Sequence, residues 1–356
     1  MNILDLPDEI LISIFNKLNN VDILYSLVDV NQRFNRLSLS SLYIHDLDGR
    51  FICLSTLIIN IETISISISD IEKMKQLSKL KCFSLSSIKP TIYYDELIVP
   101  LLRQMSNLEE LTLFLIIKRF NSTYIDGIQL YDQILIHIPQ LNKFTFSINT
   151  LLYNSVNISL PSNNDIQRSF IERKYQQVGS YADDNLMKGE AQCHIYSLPY
   201  QFDNFHYLNN SFQGGRFEKV KCIKMTDIRP FEHEFFKIIS QSFPLLQHLS
   251  VKNDEQQKNK QHLSNTLIIF PHLRSLHLIL AHIDYVEDFL MKKTTHLPCL
   301  LYLKIKYEQL LIITNNFTNN SIEFNFSQLK VLSIVEPFVR PENFHSYFPQ
   351  LQILYS

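Results

Sequence analysis

The chain has 356 residues, 46% of them hydrophobic and 19% charged, with 33 Lys and Arg against 35 Asp and Glu. That composition supplies a large core and excludes a charge-rich disordered chain, and a net charge of −2 argues against nucleic-acid binding through a bulk positive field. With only 6 Gly, no glycine-rich phosphate loop of the dinucleotide or P-loop kind can be written.

The N-terminal stretch from Met1 to Phe15 carries Asp5, Asp8 and Glu9 and no basic residue, unlike a secretory signal. No uncharged apolar run approaches the roughly 20 residues that span a bilayer. Cys53, Cys82, Cys193, Cys222 and Cys299 are scattered, with no C-x-x-C, so neither a disulfide framework nor a zinc pattern is expected. The chain reads as soluble and intracellular, cytoplasmic or nuclear, without membrane, nucleic acid, metal or cofactor.

From Leu6 the sequence runs LPDEILISIFNKL. Pro7 suits a first helical position, and Asp8 and Glu9 favour the positive end of a helix dipole. Leu6, Ile10, Ile14 and Leu18, with Leu11 and Phe15 beside them, form one apolar stripe at helical period. Asn19-Asn20 breaks it, Asp22 can cap a second helix through Leu24 and Leu27, and Val30, Phe34 and Leu37 mark a third. So small a helical unit buries little of its own surface, so its apolar side needs a cover.

This segment resembles an F-box. The matching residues are Leu6-Pro7, Glu9, Ile10-Leu11, Ile14-Phe15, Leu18, Asp22-Ile23, Val30, Arg33-Phe34 and Leu37. Asn31 and Phe34 depart from the Cys and Trp frequent in that family. The resemblance implies that the chain docks on a Skp-type adaptor, and through it a cullin, by way of Leu6, Pro7, Ile10, Leu11, Ile14, Leu18, Val30 and Phe34.

Beyond Ser40 the pattern changes. Thr63 to Ser69 alternates strictly and reads as a strand. A phrase of the form [FLI]-[PS]-x-L-x-x-[LF]-x-[LFIV] then recurs, starting at Leu77, Met105, Ile138, Phe243, Phe270, Leu297, Phe326 and Phe348, with a weaker copy at Phe217. A recurrence of this length resembles leucine-rich repeats, in which strand-plus-helix units stack on a shared core. Helical returns are expected over Tyr131 to His137, Glu232 to Ser242 and Asp284 to Lys293, each followed by proline. The Asn or Cys of regular repeats is replaced by Ile116, Ala281, Glu308 and Pro337, so repeats of uneven length are expected. A hidden strand is expected at His194 to Leu198 and a helix over Asp165 to Val178, while Ser180 to Glu190 and Asn253 to Asn265 read as loops. The expected fold class is α/β: a three-helix F-box-like module over residues 1–45, then an irregular leucine-rich-repeat-like solenoid over residues 46–356.

Catalytic patterns are absent. His233-Glu234-Phe235-Phe236-Lys237 lacks the second His of a zinc-protease helix. His272, His277 and His282 do not converge, and no G-x-S-x-G occurs. The chain reads as a non-catalytic adaptor of a ubiquitin ligase that also binds an unknown protein client. The repeat phrase aligns Lys224, Ser250, His277, Lys304 and Ser333 in one row, and Thr226, Lys252, Ile279, Lys306 and Val335 in the next. Lys224, Lys252, His277, Lys304 and Lys306 are therefore the expected client-binding residues, for an acidic peptide or acidic protein face. The alternative is a repeat-based scaffold without a ubiquitin role, whose N-terminal helices cap the array.

Overall fold

The computed structural model describes residues 56–61, 80–153, 162–171, 177–185, 190–258, 267–318, 322–335 and 337–355. The chain divides into two units, residues 1–198 and 199–356, each with its own sheet.

In the first unit the strands are β1 (Thr56–Ile61), β2 (Cys82–Ser87), β3 (Glu110–Phe120), β4 (Lys143–Tyr153), β5 (Val178–Asn185) and β6 (Glu190–Ser197). They form a mixed sheet in the order β1-β2-β3-β4-β6-β5. The first four are parallel, whereas β4–β6 and β6–β5 pair antiparallel. One face of β3, with Leu111, Leu113, Leu115 and Ile117, joins Phe144, Phe146 and Ile148 of β4 in the core. Against it pack α1 (Val99–Arg103), α2 (Gly127–Gln133) and α3 (Asn163–Ile171), through Leu101, Leu102, Leu130, Ile166 and Phe170. Asp126 caps α2 by accepting a hydrogen bond from Gln129 N at 2.8 Å.

The second unit holds β7 (Asn204–Leu208), β8 (Cys222–Thr226), β9 (His248–Asn253), β11 (Ser275–Ala281), β13 (Tyr302–Ile305), β14 (Val331–Ile334) and β15 (Ile353–Tyr355) in one seven-stranded sheet. The two-residue strands β10 (Ile268–Ile269) and β12 (Thr295–His296) pair separately. All seven strands of the large sheet run parallel, in chain order across it. The return segments include α4 (His233–Ser242), α5 (Ile283–Leu290), α6 (Tyr307–Thr314) and α7 (Phe344–Tyr347). The buried alternate residues Ile223, Leu249, Leu276, Leu303 and Leu332 lie in one row, with Phe236, Phe243, Phe270, Phe289 and Phe326 also buried in the core.

The recurrent phrase has a physical meaning. Its first four residues close a turn, with the N–H of the fourth donating to the carbonyl of the first: Leu246 to Phe243 at 3.2 Å, Leu273 to Phe270 at 3.4 Å and Leu329 to Phe326 at 3.0 Å. Both of those residues are buried, and proline suits the second position because its ring presets the turn's φ. The carbonyl of the fifth residue then accepts two successive N–H groups from the next phrase. Lys221 O accepts from Gln247 N and His248 N, both at 2.8 Å, and Gln247 O from Arg274 N and Ser275 N at 2.8 and 2.9 Å. Arg274, Leu301 and Lys330 repeat the arrangement, and Lys81 and Glu109 do so in the first unit.

This geometry corrects the fold expected from the sequence. The phrase does not produce one continuous leucine-rich-repeat-like solenoid after residue 46. It is divided between two units, and the first sheet closes on an antiparallel β5–β6 pair where a stacked array requires a parallel strand. The three-helix F-box-like module expected over residues 1–45 lies outside the described residues, as does the alternating strand at 63–69. Within the described residues, Ser180 to Asn185 is strand where a loop was expected, because it borrows a register from β6. Residues 254–258 leave β9 as an anchored segment: Gln257 N donates to Asp284 Oδ2 at 3.0 Å and Gln257 Nε2 to Asp288 Oδ2 at 2.8 Å.

The backbone groups that regular repeats satisfy with one Asn or Cys are met elsewhere. Buried Asn325 donates to Phe289 O and Thr295 O at 2.9 and 2.8 Å and accepts from Leu297 N at 3.2 Å. Gln309 Nε2 donates to Ala281 O, and Asn253 Nδ2 to Arg229 O, both at 2.6 Å.

Two stability measurements follow. Asn325→Leu leaves three buried backbone groups unmet and is expected to cost about 2–4 kcal/mol in urea unfolding. At Gly127 an added Cβ lies 2.7 Å from the Ser169 carbonyl, so Gly127→Ala is expected to destabilise by about 1–3 kcal/mol despite alanine's better helix propensity. A melting temperature that rises in Gly127→Ala contradicts the close α2–α3 approach.

Candidate functional site

Parallel register turns sequence positions into rows. Pairing places His206, Lys224, Ser250, His277, Lys304, Ser333 and Tyr355 side by side across the second sheet. The row below it reads Asn204, Cys222, His248, Ser275, Tyr302, Val331 and Ile353. Since side chains alternate along each strand, both rows lie on the face opposite the buried leucines. Neither row contains a carboxylate.

Lys224 is exposed and Lys304 half-buried, three strands apart, which is about 14 Å at the usual strand spacing. His277 stands between them, its ring 5.3 Å from that of Tyr302 and its Nε2 3.3 Å from Ser275 Oγ. Exposed Lys252 lies one row further along, opposite Leu280. Lys306 is not brought into these rows: it lies beyond β13 at the N-cap of α6. Of the expected client-binding residues, Lys224, His277 and Lys304 thus share one row, Lys252 adjoins it and Lys306 stands apart. The expected adaptor-binding residues, Leu6, Pro7, Ile10, Leu11, Ile14, Leu18, Val30 and Phe34, lie outside the described residues.

Four of the described lysines meet a carboxylate, and others, such as Lys221 and Lys330, meet none among the described residues. Lys143 meets Glu110 at 3.0 Å, Lys292 meets Glu323 at 3.3 Å, Lys237 meets Glu234 at 3.4 Å, and Lys81 pairs with Glu109. Lys224, Lys252 and Lys304 form no ion pair among the described residues. Their positive field acts on the histidines. Burial, then Lys304, His248 and Lys224, hold His277 below the usual imidazole range. Burial and Lys224 push His206 down to about 4. His206 is consequently neutral near pH 7.

Two features escaped sequence reasoning. The register between β9 and β11 shifts after His277, so that Leu280, and not Ile279, stands opposite Lys252 and is 56% exposed. A trace of this β-bulge is present in the sequence, since buried Leu276 and Leu278 are two apart but Ala281 follows only after three. The other feature is a polar chain in the first unit. Ser147 Oγ lies 2.9 Å from His194 Nε2, and His194 Nδ1 lies 3.1 Å from Tyr181 OH, the three residues being spread over β4, β6 and β5. All three are almost completely buried, so this Ser–His contact gives no access to a substrate.

Other chemistry is sparse. No group of three metal-ligating side chains occurs among the described residues. The Cys193 thiol is pushed up to about 12 by burial, and the Cys222 thiol is also raised mainly by burial, so neither is an activated nucleophile. A cleft of about 270 Å3 lined by Ile322, Phe324, Phe326, Ser327, Ser346, Tyr347 and Pro349 offers apolar walls with one phenol. No helix among the described residues is long and apolar enough to cross a membrane. The chain matches no known family model and no curated protein.

The depressed His206 makes a pH prediction. Its folded pKa lies below the unfolded value of about 6.5, so the unfolded chain binds more protons between those limits. Stability is therefore full above about pH 6.5 and declines as pH falls toward 4, by up to about 3 kcal/mol from this residue. Urea unfolding across that range is expected to show the slope in the wild type and a smaller one in His206→Gln.

Proposed function

We propose that this chain is a non-catalytic recognition subunit. Its C-terminal sheet holds a protein client, and its N-terminal segment recruits a Skp-type adaptor and, through it, a cullin-based ubiquitin ligase. The observation that carries the client half is the open sheet face on which Lys224, Lys252 and Lys304 stand without counter-charges. Three unpaired lysines on a sheet face whose two central rows hold no carboxylate suit a partner that brings its own acidic groups. The face offers hydroxyls, imidazoles and ammonium groups for recognition, and no arrangement for bond-making.

The adaptor half is supported by the Leu6-Pro7-x-Glu9 pattern and the apolar residues that follow it. Interfaces of this kind draw most of their energy from a few buried apolar anchors. In a pull-down of the full chain with purified Skp-type adaptor, Ile14→Asp is expected to reduce capture by at least about tenfold. Circular dichroism of that variant checks that it remains folded. A well-folded wild-type chain that captures no adaptor overturns the ubiquitin-ligase reading and leaves an interaction scaffold.

A further inference from the structure

The face that the proposed function assigns to the client has more character than positive charge. Its central row alternates long and short side chains: Lys224, then Ser250, then His277 and Lys304, then Ser333. Ser250 leaves a low hydroxyl floor between Lys224 on one side and His277 with Lys304 on the other. Beyond that row the β-bulge in β11 turns Leu280 outward beside Lys252, with more than half its surface in water. Val335, two residues after Ser333, is 53% exposed at the same end of β14. A bulge that aims a leucine into solvent next to unpaired lysines joins an apolar contact to charged ones, the combination found where a protein partner sits.

Resting on that client-site reading, we infer that the occupant is a linear acidic segment of a partner protein. It crosses the strands along the Lys224–His277–Lys304 row and places one apolar side chain against Leu280. The dimensions agree. Lys224 and Lys304 are about 14 Å apart, and an extended chain covers that span in four residues at about 3.3 Å each. Residues i, i+2 and i+4 of an extended chain share one side. Acidic residues at i and i+4 then meet the two lysines, while the residue at i+2 lies over Ser250 and His277.

The test uses fluorescence anisotropy with the full chain. The probe is a short fluorescein-labelled peptide of Glu alternating with Gly and carrying one central Leu; a second peptide has Ser in place of that Leu. The wild-type chain is expected to bind both, the Leu peptide about tenfold more tightly. Affinity for both should fall at least about tenfold when salt is raised from low to several times physiological strength. Lys224→Glu combined with Lys304→Glu is expected to abolish binding of both. Leu280→Ser is expected to bring the Leu peptide down to the affinity of the Ser peptide and to leave the Ser peptide unchanged. These positions are exposed or half-exposed, and the single variant Lys224→Glu, at an exposed position, substitutes for the double variant should that variant fail to fold.

Equal binding by wild type and the charge-reversed chain overturns the inference, and so does a Leu peptide bound no better than its Ser counterpart. Absence of peptide binding in a chain that still captures the Skp-type adaptor overturns this inference alone. Peptide binding as described in a chain that captures no adaptor removes the ubiquitin-ligase reading and leaves the acidic-segment site standing.

Discussion

The carbonyl at the fifth position of each phrase accepts two successive N–H groups from the following phrase, and the rest of the second unit depends on that contact. It joins the end of one turn to the start of the next strand, at Lys221, Gln247, Arg274, Leu301 and Lys330 alike. A parallel strand pair has no tight hairpin to set its register. Here the register is set by a backbone clamp placed at the same residue of each phrase. A slip of one residue would break both N–H bonds and turn the leucine row to water. The clamp uses only backbone atoms, which explains why Lys, Gln, Arg and Leu all occupy its acceptor position.

Once register is set, composition at each position decides what the open face carries. Positions two apart share a face, so Lys224, Ser250, His277, Lys304 and Ser333 become neighbours although about 110 residues of chain separate the first from the last. Burial first, and the lysines of the row second, depress the imidazoles of His206 and His277. Elsewhere Lys143 and Lys292 are among the lysines that meet a carboxylate. On this face the two central rows hold no carboxylate.

The returns between the parallel strands show how segments of uneven length remain folded. Each leaves buried backbone groups that need partners. A regular repeat meets this need with one residue type at one position. Here Asn253, Gln257, Gln309 and Asn325 each meet it at a different place and with different donors and acceptors. Uneven return lengths follow, because every loop must bring its own amide to its own unmet carbonyl. In the first unit the same phrase begins a sheet that then turns antiparallel at β6 and β5. There the buried Ser147–His194–Tyr181 chain links polar groups across β4, β6 and the edge strand β5.

Much of the strand plan was legible from residues alone. The phrase is local, its turn and alternation both lie within nine residues, and local hydrogen bonding with period-two burial is what sequence records well. The same locality made the Lys224–Ser250–His277–Lys304–Ser333 row readable, since equal phrase positions fall into register. What sequence could not provide was anything set by a neighbour. Ser180–Asn185 looks like a loop because its polar residues become strand only by pairing with β6. Leu280 looks equivalent to any strand residue until the shift against Lys252 turns it outward. Lys306 looks like a row member until α6 claims it as a cap. The division into two units and the end of parallel pairing after β4 are likewise tertiary decisions, because strand partners are chosen by packing between distant segments. The sequence by itself determined the repeating turn-and-strand phrase and the kinds of residue it displays. The tertiary structure decided which strands meet and which side chains stand together, because those depend on contacts that no local pattern contains.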